Sequence, residues 1–141
     1  MSNLNYTRGI GGNHNKEREK DDYYATPPRA IDDLISKVKL HDKVWEVACG
    51  GGHLSSRLES AGHIVKSTDL VDRGYVGFDG QLDFINSPTE KFDGDIVTNP
   101  PYKLATEFVE KSLDSVDVGG KVCMFLKIQF LEGQKRYEQL Y

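Results

Sequence analysis

Residues 99–102 read Asn-Pro-Pro-Tyr, a combination of side chains that could hold a planar amino group. A short apolar run precedes them, and prolines donate no backbone hydrogen bond, so the motif stands where a strand ends. The amide of Asn99 and the main-chain carbonyl of Pro100 could accept hydrogen bonds from an exocyclic amine. Pro101 stiffens the turn, and Tyr102 could stack on the ring that carries the amine. The motif therefore indicates a clamp for an amino group on a planar ring.

A second group of residues surrounds three consecutive glycines at 50–52. A strand that enters such a turn and continues as a helix lets a ligand approach the main chain beside helix N-terminal amides. An ordinary glycine-rich turn of an α/β protein could have the same sequence. The glycine spacing also departs from that of dinucleotide-binding enzymes, so the loop is only weak evidence for NAD. Glu46 favours a binding site, because a carboxyl inside an apolar strand is costly to bury without a polar partner.

Asp69 ends the next predicted strand, and its carboxylate could accept hydrogen bonds from both hydroxyls of a ribose. Its distance from the glycine loop suits the offset of about 20 residues found in nucleotide-binding folds. A solvated turn residue is the alternative, but the glycine loop upstream favours the ribose interpretation.

These residues can form one site only if the fold brings the ends of their strands together. The pattern of apolar residues predicts such a fold. Strands alternating with helices predict an α/β fold with a parallel sheet covered on both faces. The predicted strands are 43–48, 63–70, a short one near 81–84, 94–99 and 121–128. The predicted helices are 28–38, 103–116, and one between them that contains Leu54 and Leu58 and ends at Gly62.

The 141 residues, 38% of them hydrophobic, are enough for one globular domain. Residues 1–22 are polar and are predicted to form a flexible arm, and 23–141 to form the folded domain. A net charge of −4 argues against coating nucleic acid through charge alone, although a local basic groove stays possible. The two cysteines have no metal-ligand spacing, and the sequence contains neither a long apolar run nor a signal-peptide pattern. We therefore expect no metal, no membrane partner and a cytoplasmic location.

The order of the motifs resembles class I S-adenosylmethionine-dependent DNA adenine-N6 methyltransferases, above all small phage- and prophage-borne members. The resemblance runs from about residue 21 to the end, and its order is that of the gamma arrangement. It implies a catalytic domain over 23–141 with a Rossmann-like sheet, S-adenosylmethionine as cofactor, and catalysis by Asn99 to Tyr102. The positions that match the cofactor motifs are Tyr24, Thr26 and Pro27 beside the methionine part, Glu46, Cys49 and Gly50 in the glycine loop, Asp69 at the ribose, and Asp83 and Phe84 beside the adenine.

The resemblance also implies DNA as the partner, with the target adenine flipped out of the stack. Hydrogen bonds to Asn99 and Pro100 would draw the amino nitrogen toward tetrahedral geometry while Tyr102 stacks on the base. No general base is evident, so the expected catalysis is by positioning.

The chain departs from the family at two points. Val47 stands where the family often has proline, which a strand tolerates. We find no segment in these residues for a target-recognition domain or for the last strands of the family, so we expect either a sheet without its C-terminal strands or a fragment of a longer protein. An apolar edge strand at 121–128 then predicts either self-association through this edge or a marginally stable chain with weak catalysis.

Two other functions remain open. A glutamine-N5 protein methyltransferase also uses Asn-Pro-Pro-Tyr, although its substrate-docking domain is absent here and the Thr26-Pro27 motif favours the DNA enzymes. A cofactor-binding remnant or interaction module without turnover is the alternative of a different class.

Overall fold

Strands and helices alternate along residues 25–126, the part of the chain that the computed structural model describes. Pro28 suits the first turn of α1, because a helix leaves the amide at that position unbonded in any case. The elements in chain order are α1 (Pro28–Lys37), β1 (Lys43–Glu46), α2 (His53–Ser60), β2 (Ile64–Asp69), β3 (Gly80–Gln81), β4 (Asp95–Thr98), a 3-10 turn (Tyr102–Leu104), α3 (Ala105–Ser115) and β5 (Val122–Met124).

The five strands form one parallel sheet in the order β3-β2-β1-β4-β5. In the register between neighbours, Lys43 pairs with Ile64 and Trp45 pairs with Ile96. The chain runs outward from β1 on one side and returns to β4 on the other, so the strand order reverses between these two strands. Ligands of open α/β sheets bind at the carboxyl ends of the strands beside such a reversal. The predicted α/β fold with a parallel sheet is confirmed.

Two apolar clusters cover the two faces of the sheet, because successive side chains of a strand point to opposite sides. Val44 and Val97 pack in one cluster with residues of α1 and α2, such as Ile31 and Leu54. The other cluster joins residues of β1 and β4 to α3 and to the segment after β3, and its buried members are Trp45, Val47, Phe84, Ile96 and Phe108. Helices therefore lie on both faces, as the sequence predicted.

Gly52, the residue before α2, has a backbone conformation that the glycine loop requires. Gly52 has a φ of 90°, in the left-handed region that favours glycine. A Cβ at this position would lie 2.1 Å from Cδ1 of Tyr75, whose ring covers the loop. The hydroxyl of Tyr75 donates a hydrogen bond of 2.7 Å to Oε1 of Glu59 on α2. The segment after β2 is thus fastened over the start of α2, and no side chain at position 52 fits beneath it.

Asp95 fastens the opposite, amino-terminal end of the sheet. Its buried carboxylate accepts hydrogen bonds from the backbone amide of His41 at 2.7 Å and that of Lys121 at 2.8 Å. The imidazole Nδ1 of His41 lies 2.7 Å from the same carboxylate. One side chain therefore ties together the segments that lead into β1 and β5.

The strands β1, β2, β4 and β5 and the helix α1 are shorter than predicted by one or more residues at one or both ends, and two other elements differ in kind as well. The strand predicted near 81–84 is the two-residue β3, Gly80–Gln81, because Phe84 turns into the core instead of continuing the strand. The helix predicted over 103–116 is divided into a 3-10 turn and α3.

Several predictions fall partly or wholly outside residues 25–126. The flexible arm at 1–22, Tyr24 and the end of the strand predicted over 121–128 belong to this group. β5 is an edge of the sheet as far as the structure describes it, and its self-association stays a prediction. Within 25–126, no helix has the length and apolar character needed to cross a membrane.

Candidate functional site

A cavity of about 730 Å³ opens where β1, β2 and β4 end, beside the reversal of strand order. Its volume lies in the range of about 300–1,000 Å³ that small-molecule sites occupy. The residues predicted for the site that line this cavity are Thr26, Glu46, Cys49, Asp69, Asp83, Phe84, Asn99 and Pro101. The fold thus brings together residues from five separate stretches of sequence.

Four predicted residues within 25–126 stand next to the cavity without lining it. Pro27 is exposed, Gly50 and Pro100 are buried, and Tyr102 is half-buried in the 3-10 turn. Gly50 contributes its backbone amide, which donates a hydrogen bond to Asp69. The stacking role of Tyr102 stays a prediction.

Asp69 connects the end of β2 to the glycine loop. Its Oδ2 accepts a hydrogen bond of 2.7 Å from the amide of Gly50, and its Oδ1 accepts one of 3.0 Å from the amide of Val71. The amide of Cys49 adds a bond of 3.0 Å to the carbonyl of Thr68. A carboxylate has about four acceptor positions, so these two bonds hold Asp69 in place and still allow it to accept from a diol.

Asn99 and Thr26 meet on the wall of the same cavity. Nδ2 of Asn99 donates a hydrogen bond of 3.1 Å to Oγ1 of Thr26, which is 5% exposed. The bond fixes the orientation of the amide, with its nitrogen toward Thr26 and its carbonyl oxygen on the other side. The motif at 25–28 and the Asn-Pro-Pro-Tyr motif therefore form one structural unit.

Glu46 is almost completely buried at the end of β1, with 1% of its surface exposed. Its Oε1 accepts a hydrogen bond of 2.9 Å from the amide of Ala48 and another from the hydroxyl of Thr98. Burial raises the pKa of Glu46 to about 8, the two hydrogen bonds lower it in part, and the negative charge of Asp69 raises it again. The polar partners that a buried carboxyl requires are thus present, and the side chain is mostly protonated at neutral pH.

Cys49 is 5% exposed, and burial, aided by the nearby charges of Glu46 and Asp69, raises the pKa of its thiol to about 12. The thiolate is the reactive form of cysteine, so burial and the raised pKa disfavour a nucleophilic role for this side chain.

Asp83 and Phe84 hold the segment that follows β3. The carboxylate of Asp83 accepts hydrogen bonds from the amide and the side-chain Nδ2 of Asn86, at 3.2 Å and 2.9 Å. The ring of Phe84 packs edge-on against Trp45 at 5.4 Å and stacks on Phe108 at 5.6 Å. Most of Phe84 therefore belongs to the core, and the rest of it lines the cavity.

Sequence reasoning missed Thr98, which bonds to Glu46, and several residues of the cavity wall. Leu70 is 62% exposed and Leu104 is 42% exposed, and both line the cavity. Leu70 directly follows Asp69, the acid that ends β2. An apolar residue in that position was the feature of the sequence that could have indicated a cavity wall. The other wall residues that were missed include Val71, Arg73, Leu82, Asn86, Lys103 and Glu107.

Comparison with known proteins supplies a fold but no closer relationship. No protein-family model and no curated protein matches the chain. The crystal structure of 23S rRNA methyltransferase ErmE is similar with a TM-score of 0.57 and 18% identity, over 79% of this chain and 51% of that one. The crystal structure of TehB from Haemophilus influenzae is similar with a TM-score of 0.52 and 16% identity, over 85% of this chain and 52% of that one. The chain thus spans about half the length of either protein, and it shares their Rossmann-like fold.

Proposed function

We propose that this chain binds S-adenosylmethionine and directs methyl transfer to the N6 amino group of adenine in DNA. The observation that carries the proposal is the hydrogen bond between Asn99 and Thr26 on the wall of a cavity that Glu46 and Asp69 also line. The residues that would hold an amino group and those that would hold a nucleoside thus line the same cavity. Only the fold rests on the comparisons, and the substrate rests on the Asn-Pro-Pro-Tyr motif.

The residues of the cavity fit S-adenosylmethionine. Asp69 is an acid at the end of β2, suited to a ribose diol, and Leu70 and Leu82 provide apolar surface for a purine. Thr26 and Glu46 place polar groups toward the part of the cavity that Asn99 borders. When bound, this cofactor supplies an electrophilic methyl group on a sulfonium.

The amino-group clamp would act on the acceptor by positioning it. The N6 lone pair of adenine is conjugated into the ring, which makes it a weak nucleophile. Acceptor oxygens of Asn99 and Pro100 would draw the amine out of that conjugation, and Tyr102 would stack on the flipped base. Holding the reacting atoms in line can supply much of the rate enhancement, so the proposal requires no general base among these residues.

The test uses the full chain, S-adenosylmethionine labelled in its methyl group, and three substrates of matched concentration. These are double-stranded DNA containing adenine in many sequence contexts, RNA of the same sequences, and a glutamine-containing peptide. We expect label in the DNA, recovered as N6-methyladenine after digestion to nucleosides. Label on peptide glutamine would support the glutamine-N5 alternative, and label on RNA alone would move the substrate to RNA. Tight cofactor binding without transfer to any of them would indicate a binding module.

A further inference from the structure

The carboxyl of Glu46 is buried without a positively charged partner among the described residues. It is 1% exposed, and both donors that it has among residues 25–126, the Thr98 hydroxyl and the Ala48 amide, are neutral. Both donate to Oε1, so the proton of the neutral acid resides on Oε2. A buried carboxylate would need a positive partner to offset its loss of solvation.

The surroundings of Glu46 favour its neutral form before a ligand arrives. Asp69 at the end of β2 adds a negative charge that raises the pKa of Glu46, and burial is the larger cause. The thiol of Cys49 stays neutral, because burial raises its pKa to about 12. The other titratable groups on the cavity wall are His53 at the start of α2, Arg73 after β2, Asp83 after β3, and Lys103 and Glu107 after β4.

Glu46 also lies beside the place where the methyl acceptor would be held. Its hydrogen bond to Thr98 connects it to the end of β4, and Thr98 directly precedes Asn99. Methyl transfer requires donor and acceptor atoms at near contact distance, so a sulfonium poised for an amine at Asn99 would lie close to this carboxyl.

We propose that Glu46 distinguishes the methyl donor from its demethylated product by charge, releasing its Oε2 proton to solvent when the sulfonium binds and keeping it when S-adenosylhomocysteine binds. The inference rests on the proposed function. The Oε2–H bond of Glu46 breaks, its electron pair stays on the carboxylate, and the proton passes to the buffer. The carboxylate then pairs with the positive sulfur. After transfer the sulfur is a neutral thioether, so Glu46 takes up a proton again and the product loses an ionic contact.

Isothermal titration calorimetry counts the released protons directly. The observed enthalpy of binding at pH 7 is plotted against the ionisation enthalpy of several buffers, for S-adenosylmethionine and for S-adenosylhomocysteine. With a pKa of about 8, Glu46 is about nine-tenths protonated at pH 7, so the slope should correspond to about 0.9 proton more for the methyl donor than for the product. Both ligands carry the same amino, carboxyl and adenine groups, which makes the product the matched control.

The dependence of affinity on pH gives a second measurement on the unmodified chain. As the pH rises toward 8, the affinity for the methyl donor should increase relative to that for the product, by up to about tenfold per pH unit. Above pH 8 the ratio of the two dissociation constants should level off. Glu46→Gln keeps the shape and an acceptor for Thr98, and it should remove both the excess proton release and the pH dependence of the ratio. Equal proton release with both ligands, or unchanged release in Glu46→Gln, would overturn the inference. If neither ligand binds, the proposed function itself is wrong.

Discussion

Asn99 donates a hydrogen bond of 3.1 Å to the hydroxyl of Thr26, although 73 positions separate the two residues. Thr26 lies two residues before α1, and Asn99 follows β4 directly. The bond joins the motif before the first helix to the strand end that carries the amino-group clamp. Thr26 therefore orients the amide of Asn99.

Replacing Thr26 by Val keeps the shape of the side chain and removes the acceptor. We expect kcat/KM for methyl transfer to adenine to fall about twofold to tenfold, because a neutral hydrogen bond contributes about 0.5–1.5 kcal/mol. The matched control is Thr26→Ser, which retains the hydroxyl. Equal rates for the two variants would contradict the orienting role of Thr26.

Tyr102→Ala should leave cofactor affinity nearly unchanged while methyl transfer is lost. Removing a stacking ring costs about 1–3 kcal/mol per base in single-strand binding sites. Tyr102→Phe keeps the ring and should retain most of the transfer rate. Initial rates and calorimetry of the cofactor on the same samples check this, and a fall in cofactor affinity equal to the fall in rate would assign Tyr102 to the cofactor side.

Asp69→Ala should weaken binding of S-adenosylmethionine and of its product by about 1–3 kcal/mol, since charged hydrogen bonds to hydroxyls are removed. The amides of Gly50 and Val71 lose their acceptor as well, which loosens the glycine loop. Asp72→Ala is the control, because it removes an exposed carboxylate from the same segment. Calorimetry that finds equal affinities in the two variants would exclude Asp69 from the binding site.

The raised pKa of Glu46 predicts how stability depends on pH. Its pKa lies at about 8 in the folded chain and at 4.5 in the reference state, so the unfolded chain ionises first as the pH rises. Between about pH 5 and pH 8 the free energy of unfolding should therefore fall, by about 1 kcal/mol per pH unit, relative to Glu46→Gln. Urea unfolding of both proteins across this range measures the difference, and parallel curves would show that Glu46 is ionised in the fold.

Asp95→Asn should lower the free energy of unfolding by about 2–4 kcal/mol. The buried carboxylate holds the segments before β1 and β5 through the amides of His41 and Lys121, and an amide side chain cannot accept at both oxygen positions. Asp93→Asn makes the same change of charge at an exposed position and should have little effect. Thermal or urea unfolding compares the two variants, and equal stabilities would show that this carboxylate does not fasten the sheet.

Much of the fold could be predicted from local pattern. The apolar run around Ile96, the helical spacing around Leu54 and the stop at Gly62 each depend on residues that are close in sequence. Gly62 has a φ of 100° just past the end of α2, as its position indicated. Motif order also indicated which strand ends carry the polar residues, because parallel strands end at the same edge of a sheet.

What the sequence by itself determined is the alternation of strands and helices and the identity of the residues at the strand ends, since both follow from short-range periodicity and residue chemistry. Only the tertiary structure decided which of those residues touch. The bond from Thr98 to Glu46, the burial that raises the pKa of Glu46, and the cover that Tyr75 places over Gly52 arise between distant segments. Such contacts depend on strand order and on side-chain directions in three dimensions, because the hydrogen bonds and desolvation that shape the site act through space and not along the chain.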